Sequence, residues 1–313
     1  MTTLESRLPA TRDASIVKLP HPLRWLSAVV LLIICAVLVN ALVTNERFGW
    51  DIVWHYLFSR QILVGLRRTL VLTLIAMLIG LVLGTLLAVM RMSANPVARV
   101  AAGLYIWFFR GTPLLVQLIF WYNLSALYPK LSFGIPFGPM FADVQTNSVL
   151  TVLVAAILGL GLNESAYMSE IIRAGLLSVD PGQRAAAEAL GMRESLVFRR
   201  IVWPQALRVI VPPVGNQVIG MLKYTSLVSV IALPELLYSA QLIYQQNFQT
   251  IPLLMVASIW YLVVTSILSV IQGYVERHYG RGLTVRSENL TLRTLIDQWR
   301  TRRHQADVEE GAS

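Results

Sequence analysis

Apolar residues along the chain gather in long runs with no period of two and no polar stripe, and short segments between the runs carry nearly all of the charge. A hydrocarbon core of about 30 Å takes about 20 helical residues to cross, at about 1.5 Å of rise each. Six segments meet that length. They are 25–43, 69–90, a third that starts near Leu104 and continues through 114–127 after a break at Arg110-Gly111-Thr112-Pro113, then 148–172, 212–233 and 253–271. Runs that are apolar all round predict membrane helices and not the alternating strands of a barrel. Gly80 and Gly84 place two small residues one turn apart on the second span, a pattern for close helix packing. The first run could instead be a secretory leader, since Val39-Asn40-Ala41 loosely resembles a cleavage site.

Composition agrees with lipid as the solvent. The 313 residues are 56% hydrophobic and 14% charged, with a mean hydropathy of +0.61. Soluble domains carry about 25% charged residues. The formal net charge of +9 lies between apolar runs, so a bilayer surface, and not nucleic acid, is the partner it predicts. Cys35, the one cysteine, sits inside an apolar run, which excludes an intrachain disulfide and suits a packing residue.

The distribution of Lys and Arg sets an expected orientation. Twenty fall in 1–24, 91–110, 173–208 and the tail after Tyr274; five fall on the other side, at Arg47, Arg60, Arg67, Arg68 and Lys130. Both termini are therefore expected in the cytoplasm. A cytoplasmic segment 1–24, a span 25–43 and an extracytoplasmic segment 44–61 precede the rest, and a basic tail 279–313 follows it. Within that tail, 290–305 has the character of a basic amphipathic helix for the inner leaflet.

Residues 176–211 are too polar to span and too patterned for a plain connector. Asp180-Pro181 reads as a helix start, an alanine-rich helix 184–190 ends at Gly191, and a second segment 194–201 closes at Trp203-Pro204. A basic loop resting on anionic headgroups would account for the charge alone. The spacing, however, resembles the signature loop of the binding-protein-dependent ABC permeases: Glu-Ala-Ala, three residues, Gly, nine residues, Ile, one residue, Leu-Pro. Here Ala185-Ala186-Ala187, Gly191, Ile201 and Trp203-Pro204 keep every interval, with Ala185 in place of Glu and Trp203 in place of Leu. Glu188, close by on the same helix, offers a substitute carboxylate.

The chain further resembles the polar amino acid branch, of histidine and glutamine type. The stretches that carry the likeness are 109–117 (FRGTPLLVQ), 165–175 (SAYMSEIIRAG), 225–231 (TSLVSVI) and Pro234-Glu235-Leu236. They occur in order over 62–278, the expected permease core, with the coupling loop at 176–211. The resemblance implies an all-α integral membrane protein of six transmembrane helices, a five-helix importer core plus one extra N-terminal helix. It implies that Ala185, Ala186, Ala187, Glu188, Gly191, Ile201 and Pro204 engage an ABC ATPase subunit. It also implies an extracytoplasmic solute-binding protein, a second permease subunit that is a copy or a relative, and ATP hydrolysis in the partner and not here. Tyr224 stands where the branch commonly has Asp after the lysine, which weakens a preference for cationic amino acids.

Ionisable groups inside a bilayer face a cavity or a partner. Glu164 and Lys223 fall at similar expected depths on consecutive spans, so they either pair or bind the two ends of a zwitterion. Asn163 and Tyr167 on the fourth span, Thr225 and Ser226 on the fifth, and Gln117 on the third complete the candidate substrate site, with Asn216 and Gln217 as further polar positions. Glu170 and Arg173, three apart, read as an ordinary helical ion pair. No phosphate-binding glycine loop, metal-ligand spacing or nucleophile–base pair occurs, so no catalysis and no cofactor is expected. Two other readings remain at this stage: a self-sufficient secondary carrier, and a non-transporting membrane regulator.

Overall fold

The structure, a computed structural model, describes residues 22–134 and 140–279. Most of the expected N-terminal segment and nearly all of the basic tail, with its helix at 290–305, lie outside them. The chain divides into two compact units, residues 1–52 and 53–313. The first holds α1 (Pro22–Thr44), a helix apolar on every face, and a turn in which Trp50 donates its indole N–H to the carbonyl of Leu42 at 2.8 Å.

The division falls within α2 (Trp50–Leu57), and the second unit continues with α3 (Arg60–Met92), whose length of about 50 Å exceeds the hydrocarbon core. The predicted span 69–90 is its middle. Asn95 accepts from the backbone N–H of Val97 and Pro96 takes the first turn, so α4 (Pro96–Gly111) starts a full two turns before the expected Leu104. Pro113, which has no N–H to continue the ladder, precedes α5 (Leu114–Tyr122), and the two helices meet at 100°. The expected interruption is thus a sharp corner.

A one-turn helix, α6 (Leu124–Leu127), then enters an antiparallel hairpin, β1 (Lys130–Gly134) with β2 (Met140–Gln145), in which Lys130 faces Gln145. This short hairpin is the one departure from helix among the described regular elements: residues 130–134 and 140–145 satisfy part of their backbone by pairing with each other. The turn α7 (Thr146–Val149) follows, and then α8 (Val152–Leu177), capped by Thr151.

Beyond it come α9 (Pro181–Ala189), α10 (Glu194–Val197) and α11 (Trp203–Tyr224). Residues 198–202 form a π-helical turn that joins α10 to α11, so the chain does not close at Trp203-Pro204 as expected. Pro204 instead occupies the first turn of α11, where its missing N–H is harmless. The upper part of the fifth expected span is a 3-10 segment, 225–231, ended by Ala232 at φ 60°. Last come α12 (Leu236–Asn247), which was not among the expected elements, and α13 (Thr250–Tyr279). Four helices among the described residues are long and apolar enough to cross a membrane alone, and two bent pairs raise the number to six if each is one span.

Between helices in lipid there is little hydrophobic driving force, so close packing carries the association. The seam of α3 against α8 shows how. A Cβ on Gly84 would lie 2.7 Å from the Cβ of Met168, and one on Gly161 would lie 2.8 Å from Ile79. Glycine alone permits this approach, as the Gly80/Gly84 spacing predicted. Elsewhere Glu235, fully buried, ties three helices together: its carboxyl group accepts from Tyr238 N–H on α12, Thr69 on α3 and Tyr261 on α13.

Candidate substrate cavity and coupling loop

The corner between α4 and α5 opens a cavity of about 430 Å³ against α8 and α11. Arg110, Asn163, Glu164, Tyr167, Gln217 and Tyr224 give it its polar lining, beside Pro113, Leu114 and Leu227. Glu164 is 3% exposed, and its Oε1 is buried and accepts no hydrogen bond. Gln217 lies beside the same carboxyl group. Arg110 extends over the ring of Tyr167, 5.3 Å from its centre, a cation–π contact that holds the guanidinium at the cavity wall.

The corner itself is held by two amides. Gln117 donates from Nε2 to the Phe109 carbonyl at 3.0 Å and to the Thr112 carbonyl and hydroxyl at 3.1 and 2.7 Å. Its Oε1 accepts from Asn163 Nδ2 at 3.2 Å, and that nitrogen also donates to Phe109 O at 2.8 Å. Helix-end carbonyls freed by the break are thereby satisfied from α5 and α8. Tyr105 braces the other side of α8, within hydrogen-bonding distance of Leu162 O at 3.0 Å and Ser165 Oγ at 2.8 Å.

Of the sequence-predicted site, Asn163, Glu164 and Tyr167 line the cavity together. Gln117 stands behind it, buried, as the staple of the corner. Thr225 and Ser226 turn their hydroxyls onto the carbonyls of Leu222 and Lys223 at 2.7 and 2.6 Å, away from the lining set. Asn216 is exposed, and Gln217, its neighbour, takes the inward position. Of the two alternatives for Glu164 and Lys223, a mutual pair or the two ends of a zwitterion site, the pair is not formed here: Lys223 is exposed, and among the described residues the one ion pair is Arg173–Glu170 at 2.7 Å. Equal depth did not suffice, because Lys223 faces away on α11. The cation that shares the cavity is Arg110, itself exposed, which the sequence count placed with the cytoplasmic-side charges of 91–110. Its adjacency to a Gly-Thr-Pro break was the signal that could have found it.

The loop 176–211 folds around a small apolar cluster, in which Ala187, Val197 and Val202 are buried against Leu176, Val179, Met192 and Ile201, and Leu176 and Val179 also pack on the main core. Asp180 caps α9 by accepting from Gly182 N–H at 2.7 Å. At its far end Gly191 has φ +75°, its N–H reaches Glu188 O at 2.9 Å, and Met192 N–H reaches Ala187 O at 3.1 Å. This is a Schellman closure, which requires a residue at ease in the left-handed region. Ala185, Ala186 and Glu188 are exposed, as is Pro204, and Leu190 projects with 83% of its surface free. Leu190 escaped the sequence reading because the signature spacing passes over it.

The family model for the binding-protein-dependent transport system inner membrane component matches residues 80–281. The chain is 46% identical over 279 residues to the arginine transport system permease protein ArgU of Corynebacterium glutamicum, covering 88% of this chain and 85% of that protein. It is 37% identical to the nopaline transport system permease protein NocM of Agrobacterium fabrum, over 67% of this chain and 83% of that one. Among solved structures it resembles an amino acid ABC transporter with histidines, at a TM-score of 0.59 and 36% identity, over 70% of this chain and 94% of that chain.

Proposed function

The chain belongs to the family of binding-protein-dependent transport system inner membrane components, and we propose that it carries a cationic amino acid across the cell membrane through the cavity at the α4–α5 corner. It is the membrane-embedded permease subunit of an ABC importer, a family whose ATPase is a separate subunit. The secondary-carrier and regulator readings are set aside, because the relatives are permease subunits of ABC importers.

The observation that carries the substrate reading is Glu164 Oε1, buried in the cavity wall without a hydrogen-bond partner of its own, in a carboxyl group whose one neighbouring donor is the amide of Gln217. A buried acceptor without a partner costs about 1–3 kcal/mol, and a donor-rich substrate group would supply what is missing. Arg110 on the same lining suits the substrate carboxylate, bidentately. Asn163, Tyr167, Gln217 and Tyr224 complete the polar surround. The 46% identity to an arginine permease supports the same class and makes arginine the first compound to test. It outweighs Tyr224, the substitution that had argued against a cation.

The coupling half of the reading assigns α9 and its closure, through Ala185, Ala186, Ala187, Glu188, Gly191, Ile201 and Pro204, to the ATPase partner. What supports it is the exposed helix face beside Leu190, set on a small apolar cluster that Leu176 and Val179 also join to the main core. On this reading the coupling loop and both termini are cytoplasmic, a solute-binding protein delivers to the opposite face, and a second permease subunit completes the pathway.

The test is ATPase stimulation in vesicles that hold the assembled permease and ATPase, with the binding protein loaded by single amino acids. Arginine or another cationic amino acid should stimulate turnover. Stimulation by neutral or acidic amino acids alone would refute the assignment of Glu164.

A further inference from the structure

Arg60, Arg67 and Arg68 crowd the first turns of α3, and none of them is paired with a carboxylate among the described residues. They also make up most of the charge that runs against the bias toward the other membrane face. Helix geometry fixes their depth. About 34 Å of α3 separates Arg68 from Arg91 at about 1.5 Å per residue, a close match to a hydrocarbon core of about 30 Å. Arg67 and Arg68 therefore stand at headgroup level.

Immediately below the two arginines is a cavity of about 340 Å³, walled by Val71, Ile75, Leu153 and Leu233. Arg68 holds one edge in place by donating to the carbonyl of Pro234 at 3.0 Å. Arg68 also lines a neighbouring cavity of about 400 Å³ with Arg60 and Gln61. The crevice is thus cationic at the membrane surface and apolar beneath it, over about 12 Å from Arg67 to Ile75.

We propose that this crevice is a binding site for an anionic phospholipid, with its phosphodiester on Arg67 and Arg68 and an acyl chain along Val71, Ile75 and Leu153. A guanidinium matches phosphate oxygens in a planar fork, and the apolar wall lies at the depth of the chains. A zwitterionic headgroup would set its own cation against the arginines. The acidic surface of a soluble partner could answer the charges but would not reach walls that lie below the headgroup plane. The site is independent of the transported substrate and of which face is outside.

The test uses the assembled permease–ATPase complex in phosphatidylcholine nanodiscs doped with spin-labelled phosphatidylglycerol or spin-labelled phosphatidylcholine. The wild type should immobilise the phosphatidylglycerol label in excess of the phosphatidylcholine label. Arg67→Gln, which leaves the Arg68–Pro234 bond in place, should weaken that preference about fivefold, the weight of one basic residue against an anionic lipid. Arg67→Lys should restore most of it, and basal ATPase activity should report an intact fold in every variant. Equal immobilisation of both labels, or a preference unchanged in Arg67→Gln, overturns the proposal. So does a loss of binding-protein affinity by Arg67→Gln in discs free of phosphatidylglycerol with the lipid preference intact, which would give the arginines to a protein surface.

Discussion

Gly80 and Glu164 are in direct contact across the seam of α3 and α8: a Cβ on Gly80 would stand 2.6 Å from Glu164 Cγ and 3.1 Å from its Cβ. The glycine stands behind the buried carboxyl group and fixes how far it can retreat from the cavity. A helix contact that reads in sequence as a packing motif is therefore also the back wall of the candidate site.

Gly80→Ala should push Glu164 toward the cavity or part the two helices. Overpacking of this kind costs about 1–3 kcal/mol. Uptake of radiolabelled arginine should fall about tenfold with normal amounts of inserted protein. The same substitution at Gly273, where an added Cβ meets nothing within 4 Å, should leave uptake unchanged. Equal behaviour of the two would break the link between Gly80 and Glu164.

Glu164→Gln separates function from stability. If the carboxyl group is there for a cationic substrate, the amide should lower substrate-stimulated ATPase about 100-fold or more, from the lost charge-assisted contacts. The thermal midpoint in detergent should hold or rise, because a charge-bearing group is removed from a buried position. A variant that unfolds while retaining stimulation per folded molecule would reassign Glu164 to the fold.

Gly191 tests the coupling loop through backbone conformation alone, since a Cβ there meets nothing within 4 Å. Its φ of +75° is uncommon for side-chain-bearing residues and least tolerated by branched ones. Gly191→Val should open the Schellman closure at about 1–2 kcal/mol and abolish co-purification of the ATPase subunit. Gly191→Asn, which tolerates the left-handed region, should keep it. Loss in both would point to a contact at Gly191 and not to the turn.

Much of this arrangement was legible in the chain, and the exceptions share a cause. Long apolar runs, Gly80/Gly84, Asp180-Pro181 and Gly191 each act through local chemistry, and each was read at the residue where it operates. What sequence could not give was azimuth. Glu164 and Lys223 were matched by depth, yet rotation about α11 takes Lys223 to the outside and brings Gln217 in. Arg110 was counted only as a surface charge, yet the α4–α5 corner sets it on the same cavity lining as Glu164 and over the ring of Tyr167. The hairpin and α12 lay in stretches with neither strong periodicity nor long apolar runs.

Orientation can be read by labelling. In a Cys35→Ala background, single cysteines placed after Gly282 should react in intact cells only with a membrane-permeant maleimide. The expectation rests on the skew of Lys and Arg, which persists without Arg110. Modification by an impermeant reagent at that tail would invert the topology and move the coupling loop to the wrong side of the membrane.

The choice between Arg110 and Lys223 as the partner of a substrate carboxylate follows from which of them shares a cavity with Glu164. Arg110 does, steadied over Tyr167, whereas Lys223, though equally exposed, is not on the cavity lining. Lys223→Met should therefore keep substrate-stimulated ATPase within about threefold of wild type, the scale of a surface substitution of up to about 0.5 kcal/mol. Arg110→Gln should reduce it about 100-fold, the loss of a bidentate charge-assisted contact worth about 3 kcal/mol. Arg110→Lys should recover only part, because an ammonium cannot reproduce the planar fork or its stacking on Tyr167. The double variant Glu164→Gln, Lys223→Met should then behave as Glu164→Gln alone, since distant, unpaired sites add. Rescue of Glu164→Gln by Lys223→Met would instead reveal a direct interaction between the two, in a state of the transporter where α11 has turned to bring them together.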